Sequence, residues 1–470
     1  MSKRLMLVLI FAFVVGIAYT AYAEVQNVKV SGDITMTGIR RDKMTLRTDE
    51  TTSDYGNVVQ GILSQVRVRV DADLTDNVST VVRLINERMW GMESASNSSD
   101  DNDTTVDVDL AYVTLKEFLY SPLTLTVGRQ ELRYGNALVI GDIDTNGQSA
   151  RNLSAPLEDL SLRKSFDAVR AVLNYDPLVV DLVYSRVNET ALNTSSNVEL
   201  YGVNAAYAVN KNLNTELYVW ERRRGKGYYA VATHALTKPE TLVTTGARGV
   251  YTGIENLVLG AEAALQTGDH ATILAGATHG LVYADDAVVA DNLTHNRTVT
   301  AYAIQLMAQY MMPKVKYTPM VRATYTNLSG EKYLNDKKTH KGWNQMYEDQ
   351  ARGTLFNKIF GFSNAQIFNL SGSMKPMDDV TATLDYTFLM LNHNYPTGSS
   401  VRMDGVYSGP IYTMTDAKSL GSEVDLGVTY DYTEDVQLAL SGGLFVPGKA
   451  FSKNNRAAAT QILGSMKVTF

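Results

Sequence analysis

Hydrophobic and polar residues alternate one for one over long stretches of this chain. In QVRVRVDADL, Val66, Val68, Val70, Ala72 and Leu74 share one face, and Gln65, Arg67, Arg69, Asp71 and Asp73 share the other. In VTATLDYTFLM, the odd members are Thr381, Thr383, Asp385 and Thr387, set against Val380, Ala382, Leu384, Tyr386, Phe388 and Met390. A period of two predicts β-strands with unlike faces. Eighteen such segments follow one another, from 25–40 and 62–73 through 315–327 and 419–432 to 457–470. Most run about 10–14 residues, against about 5–6 for a soluble strand and about 9–11 for a tilted strand crossing a bilayer.

The connections alternate in length. Short ones fall at Leu74–Asn77, Asp176-Pro177, Asn210–Asn212, Met312-Pro313, Pro376–Asp379 and Thr433–Asp435. Long ones fall between them, at 41–61, 91–105, 132–164, 224–239, 268–297, 328–362 and 393–418. The pattern predicts an all-β fold: a closed antiparallel transmembrane β-barrel of about 18 strands, with short periplasmic turns and long extracellular loops. Lipid cannot satisfy an open sheet edge, so the last strand must pair with the first. A ring of this size is wide enough for an aqueous channel. Tyr175, Tyr207, Tyr251, Tyr310 and Tyr432 lie near the short turns, where an interfacial aromatic belt belongs.

The N-terminus agrees. Lys3-Arg4, an apolar run from Leu5 to Ile17, and Ala21-Tyr22-Ala23 have the layout of a secretory signal peptide over 1–23. The mature chain is then a barrel over 24–470, placed in the outer membrane of a Gram-negative-type bacterium. With no Cys, an exported chain has no disulfides to rely on. A net charge of −7 gives no reason to expect a nucleic-acid partner.

Candidate chemistry is sparse. His234, His270, His279, His295, His340 and His393 fall in predicted loops without metal or nucleophile spacing. Asp100, Asp101 and Asp103 offer oxygen ligands for Ca²⁺, but the order and glycine of a calcium loop are missing. Neither an enzyme nor a cofactor is expected. Electrostatics in the lumen remains. Alternation turns Lys29, Arg67, Arg69, Arg83, Arg170, Arg222, Arg248, Lys316 and Arg322 inward. Acids facing them include Asp33, Asp71, Asp181, Glu216, Glu262, Asp385, Glu423 and Asp425. The two signs nearly balance.

One stretch breaks the alternation. In LTLTVGRQELRYGNALVIGD, Leu123–Asp142, a regular strand runs into Arg129, Gln130, Glu131 and Arg133. Strict alternation puts Arg129 on the lipid face; a bulge, or cover by the following loop, would turn it inward. That loop, 132–164, is either a surface loop or an inward-folded constriction. The segment resembles the G-R-Q-E-L-x-Y-G-like segment of the alginate-export family of outer-membrane barrels. The likeness extends through SFDAVRAVL, GAEAALQTG, SEVDLGVTYDYTEDVQLALSGGLFVPGKAF and the terminal strand. It implies a monomeric 18-stranded barrel, whose best-known members pass an anionic polysaccharide through an Arg- and Lys-rich conduit with periplasmic export partners. By matched motif, Arg129, Gln130, Glu131, Tyr134 and Arg170 are implied to line the pore. Ala137-Leu138-Val139-Ile140 and a Trp-free loop depart from the polymer exporters, which carry a basic residue and then a Trp-containing loop after Y-G. The expected solute is therefore a small hydrophilic molecule, with an anionic polysaccharide or a loop-plugged receptor or scaffold as alternatives. Phe470, ending ILGSMKVTF, resembles the terminal signal read by outer-membrane assembly machinery.

If the QVRVRVDADL faces are correctly assigned, Arg67→Glu with Arg69→Glu will shift the reversal potential toward cation selectivity. An unchanged reversal potential would mean that the strand is slipped by one residue.

Overall fold

The computed structural model describes residues 27–48, 57–91, 106–143, 155–188, 197–225, 239–272, 281–283, 295–332, 338–350, 354–402 and 411–470. The proposed signal segment 1–23 and the acidic Asp100, Asp101 and Asp103 lie outside the described residues.

The alternating segments form eighteen barrel strands. They are β1 (Asn27–Asp42), β2 (Val58–Thr75), β3 (Val78–Met89), β4 (Asp107–Leu115), β5 (Leu123–Glu131), β6 (Ser165–Asn174), β7 (Leu178–Asn188), β8 (Val198–Asn210) and β9 (Leu213–Arg224). The second half comprises β10 (Glu240–Ile254), β11 (Leu257–Thr272), β12 (His295–Met311), β13 (Met320–Leu328), β14 (Ala365–Met377), β15 (Val380–Leu391), β16 (Ser419–Asp431), β17 (Val436–Pro447) and β18 (Ala459–Thr469). Every neighbouring pair is antiparallel, and β1 meets β18 from Asp33↔Thr469 to Asp42↔Thr460, closing the ring. A two-residue piece, Thr339–His340, adds parallel to β12 at the long-loop end. Among the described residues no helix is long and apolar enough to cross a membrane.

Closure carries through to the last residue. The Phe470 amide donates to the Gly32 carbonyl at 3.0 Å, and the Gly32 amide donates back at 2.8 Å. The Phe470 ring lies over Gly32, where a Cβ would come within 2.7 Å of it. A side chain at that position would displace either the ring or the Arg67 carbonyl behind it.

The faces follow the alternation. Arg67 is registered with Asp33, and Arg69 with Arg83, on the inner side. Outward, the apolar band stays bare: Leu217, Leu265, Leu426 and Leu440 are among its most exposed members. In lipid such a surface needs no protein cover. Tyr175, Tyr207, Tyr251, Tyr310 and Tyr432 are all exposed at the short-turn end, as an interfacial belt requires.

One turn differs from expectation. The short connection at Met312-Pro313 extends to Pro319, so the strand expected over 315–327 begins only at Met320. Pro319 has no N–H for a ladder, and Tyr317 and Thr318 take φ of 68° and 42°. Lys316 therefore sits at the turn, 4.6 Å above the Tyr317 ring, and not in the lumen.

The outer face makes a direct test. Leu426, 58% exposed, faces outward from β16 opposite Leu384. Leu426→Arg should destabilise the folded barrel by about 2–4 kcal/mol if it lies at the bilayer midplane. Urea unfolding in lipid measures the change, and the inward Thr383→Arg should show a much smaller one.

Candidate functional site

Inside the ring, charges meet in pairs, most of them between strands. Arg67 on β2 reaches Asp33 on β1 at 2.8 Å, and Arg69 reaches Asp71 at 2.7 Å. Arg83 lies between Asp109, at 2.5 Å, and Glu131 at the end of β5. Arg170 holds Asp181 at 2.5 Å, with its guanidinium 5.7 Å from the centre of the Tyr134 ring. Arg248 bridges to Glu216 and donates to Asn136 at 2.9 Å. Glu262 accepts from the Tyr218 hydroxyl at 2.8 Å and from the Asn136 amide at 3.1 Å. Arg322 donates to the Gln309 amide oxygen, and Asp385 accepts from Ser371.

Two of the sequence-derived assignments change. Arg129 keeps strict alternation: it shares the outward face with Val127, pairs with Asp167 at 2.8 Å and donates to the Val108 carbonyl at 2.9 Å. It is not a lumen residue; the ion pair neutralises it near the long-loop rim. Gly128, at φ 124°, lies so close to β4 that a Cβ would come within 2.2 Å of the Ala111 carbonyl oxygen, yet the register stays unbroken. Arg222 points inward but is wholly buried, donating to Glu240 and to Asn344, each at 3.0 Å. It supports a loop rather than lining an opening. Gln130, Tyr134 and Glu262 are likewise inward and covered.

The cover comes from two loops that fold into the bore. Residues 132–143 leave β5 and cross the lumen, and residues 155–164 lie against the wall before β6. On one side Asn136 contacts Arg248 on β10, Glu262 on β11 and Gln305 on β12. On the other side Asp159 is clamped by Arg41 of β1 at 2.6 Å, both side chains almost wholly buried. There Glu87 of β3 accepts from the Ser161 hydroxyl and the Leu162 amide, each at 2.8 Å.

Residues 338–350 and 354–364, between β13 and β14, also lie in the bore. Asn344 exchanges two hydrogen bonds with Gln266, at 2.9 and 2.7 Å. Glu423 of β16 accepts the Leu355 and Phe356 amides, each at 2.7 Å, capping the positive end of the short helix Leu355–Ile359.

The two loops are joined to each other. The Gly141 and Asp142 amides donate to the Tyr347 carbonyl at 2.6 and 3.0 Å, and the Tyr347 amide donates to Val139 at 2.9 Å. Leu138, Val139 and Ile140 are buried with Trp343, Met346 and Tyr347. Beside this seam, Lys164 lies 2.7 Å from Asp349 and 3.5 Å from Asp142, and Arg133 binds Asp349. Burial would raise Asp349, but Lys164 and Arg133 outweigh it and hold the carboxyl below the usual range. Glu348 has the opposite fate: burial first, then Asp142 and Asp349, push it up to about 8.

Sequence reasoning did not single out Asn136, Asp159, Asn344 or Glu348. A signal was present for the first loop. Four apolar residues in a row, Ala137–Ile140, have no reason to sit on a hydrated surface loop. Nothing comparable marks Asn344 or Glu348, whose partners are fixed only by the fold.

Between these loops and the wall lies a cavity of about 560 Å³, lined by Arg133, Arg322, Asp349, Asp385, Asp425 and by Thr and Asn side chains. Among the described residues no group of three metal-ligating side chains comes together. His340 is buried against Arg297 and Glu331, which accounts for it structurally.

The barrel is similar to solved outer-membrane proteins. These include OpdQ of Pseudomonas aeruginosa, at 12% identity over 95% of this chain and 99% of that one, TM-score 0.56. OccAB1 of Acinetobacter baumannii matches at 10% identity over 96% and 98%, TM-score 0.55. OccK8 (OprE) of Pseudomonas aeruginosa matches at 10% identity over 95% and 98%, TM-score 0.54. At such identities the likeness is one of fold. No curated protein sequence matches the chain. The family model for alginate export matches residues 27–465, nearly the whole barrel. The chain belongs to the alginate-export family, whose members are outer-membrane transport channels.

Proposed function

We propose that this protein is a passive outer-membrane channel for small hydrophilic solutes, narrowed by its two inward loops. The observation that carries this reading is that most of the inward-facing arginines are paired. Arg67, Arg69, Arg83, Arg170, Arg222 and Arg248 each have a carboxylate partner. A conduit for a long polyanion needs a continuous row of uncommitted positive charge, because each neutralised arginine has little left to offer a passing uronate. The alginate-export alternative is weaker for that reason. On this reading no side chain acts catalytically, residues 1–23 direct export, Phe470 engages the assembly machinery, and the barrel works as a monomer without obligatory periplasmic partners.

Two measurements follow. Purified barrel in planar bilayers should conduct ions, uronate polymer should not block it, and deletion of 138–143 should raise conductance severalfold. A silent barrel would sink the channel reading; block by polymer alone would favour the exporter.

The second measurement is pH. Glu348 has its pKa raised from 4.5 to about 8 within the seam. A raised acid favours the folded seam when protonated, so the seam is tightest below 4.5 and loosens as pH rises toward 8, by at most about tenfold per unit. Protection of the Gly141 and Tyr347 amides, taken relative to the intrinsic base-catalysed exchange rate at each pH, should fall over that window, and Glu348→Gln should flatten that fall.

A further inference from the structure

Several lumen arginines are committed to carboxylates, but one stretch of wall is different. Gln309 on β12, Arg322 on β13, Ser371 on β14, Asp385 on β15 and Asp425 on β16 are registered one to the next as a single cross-strand row. Arg322, Asp385 and Asp425 all line the 560 Å³ cavity. Among the described residues none of the three has an ion-pair partner. Arg322 uses its guanidinium on a neutral amide, donating to Gln309 at 2.6 and 2.9 Å. Asp385 is held by the Ser371 hydroxyl.

Asp385 and Asp425 face each other directly across β15 and β16. Like charges in that position repel, and Glu423, which accepts the Leu355 and Phe356 amides, also shares a side-chain hydrogen bond with Asp425 and adds a third carboxyl to the group. An ammonium between Asp385 and Asp425 would relieve the repulsion. A carboxylate at Arg322 would replace a neutral acceptor by a charged one, which is the stronger partner. Ser371 separates the two poles by one strand, so their backbones stand roughly 10 Å apart. That suits a short molecule with a charge at each end; an extended dipeptide spans about 7 Å. The other cavity cation, Arg133, is already engaged by Asp349 and does not unbalance the pair.

We infer that this cavity is a binding station for a small zwitterionic solute of amino-acid or dipeptide type, its carboxylate on Arg322 and its ammonium between Asp385 and Asp425. The inference rests on the channel reading and narrows its solute.

The test is liposome swelling with three probes of similar size: alanylalanine, its N-acetyl form and its C-terminal amide. The zwitterion should pass about fivefold faster than either blocked form, the scale of one partly exposed charge pair. Arg322→Gln should erase its advantage over the amide. Asp385→Asn with Asp425→Asn should erase its advantage over the N-acetyl form. Heat-modifiable gel mobility identifies variants that still form the barrel. Equal rates for the three probes through a conducting wild-type barrel would overturn the inference and leave the channel intact. So would folded variants that slow all three probes alike. A barrel that passes neither ions nor any probe would overturn the channel reading itself.

Discussion

Everything in this molecule depends on satisfying backbone hydrogen bonds without water. In the hydrocarbon layer an unpaired N–H or C=O costs several kcal/mol, so a sheet can exist there only as a ring. The seam from Asp33↔Thr469 to Asp42↔Thr460, extended by Phe470 and Gly32, removes the edge. Closure then fixes every face. Because the period is two, each strand has a single register that keeps lysines and arginines out of lipid. Where a charge does fall outside, as at Arg129, an acid can meet it from the next strand.

Closure also creates the lumen problem. Many charged side chains face one another across a confined bore, and at contact distance their interactions are strong when partly desolvated. The structure answers with pairing along the wall and with loops that use wall charges as anchors. Arg41 with Asp159 is the clearest case: neither side chain reaches solvent, so removing one partner would leave a buried charge uncompensated, at about 3–5 kcal/mol. Part of what the sequence presents as a selectivity apparatus thus serves as scaffolding, and Arg222 is wholly of that kind.

The barrel was readable because its signals are local and repeated. Alternation in QVRVRVDADL or VTATLDYTFLM states both strand and face, and the connection lengths state topology. Lys316 was misread because alternation continues through a turn that Pro319 ends, and backbone at positive φ carries no hydropathy signal. Arg129 followed the simple rule; the motif resemblance had assigned it to the pore. The loop contacts were not readable at all. Asn136 meets Gln305, and Asp159 meets Arg41, across more than a hundred residues of chain, through partners that only a closed ring brings opposite.

Those contacts decide whether the inward loops act as a fixed filter or a moving lid. Leu138, Val139 and Ile140 are almost completely buried, and each contributes about 1.5–3 kcal/mol relative to exposure. Four backbone hydrogen bonds join Ala137–Asp142 to Tyr347–Asp349, and each loop has a charged anchor in the barrel wall. Withdrawing either loop would expose this apolar seam to a water-filled bore and strand its anchors. The cost far exceeds what a weakly bound solute could supply, since a ligand shifts an equilibrium only by its differential affinity. The described loops are therefore built to stay in place in the bore rather than to open and close.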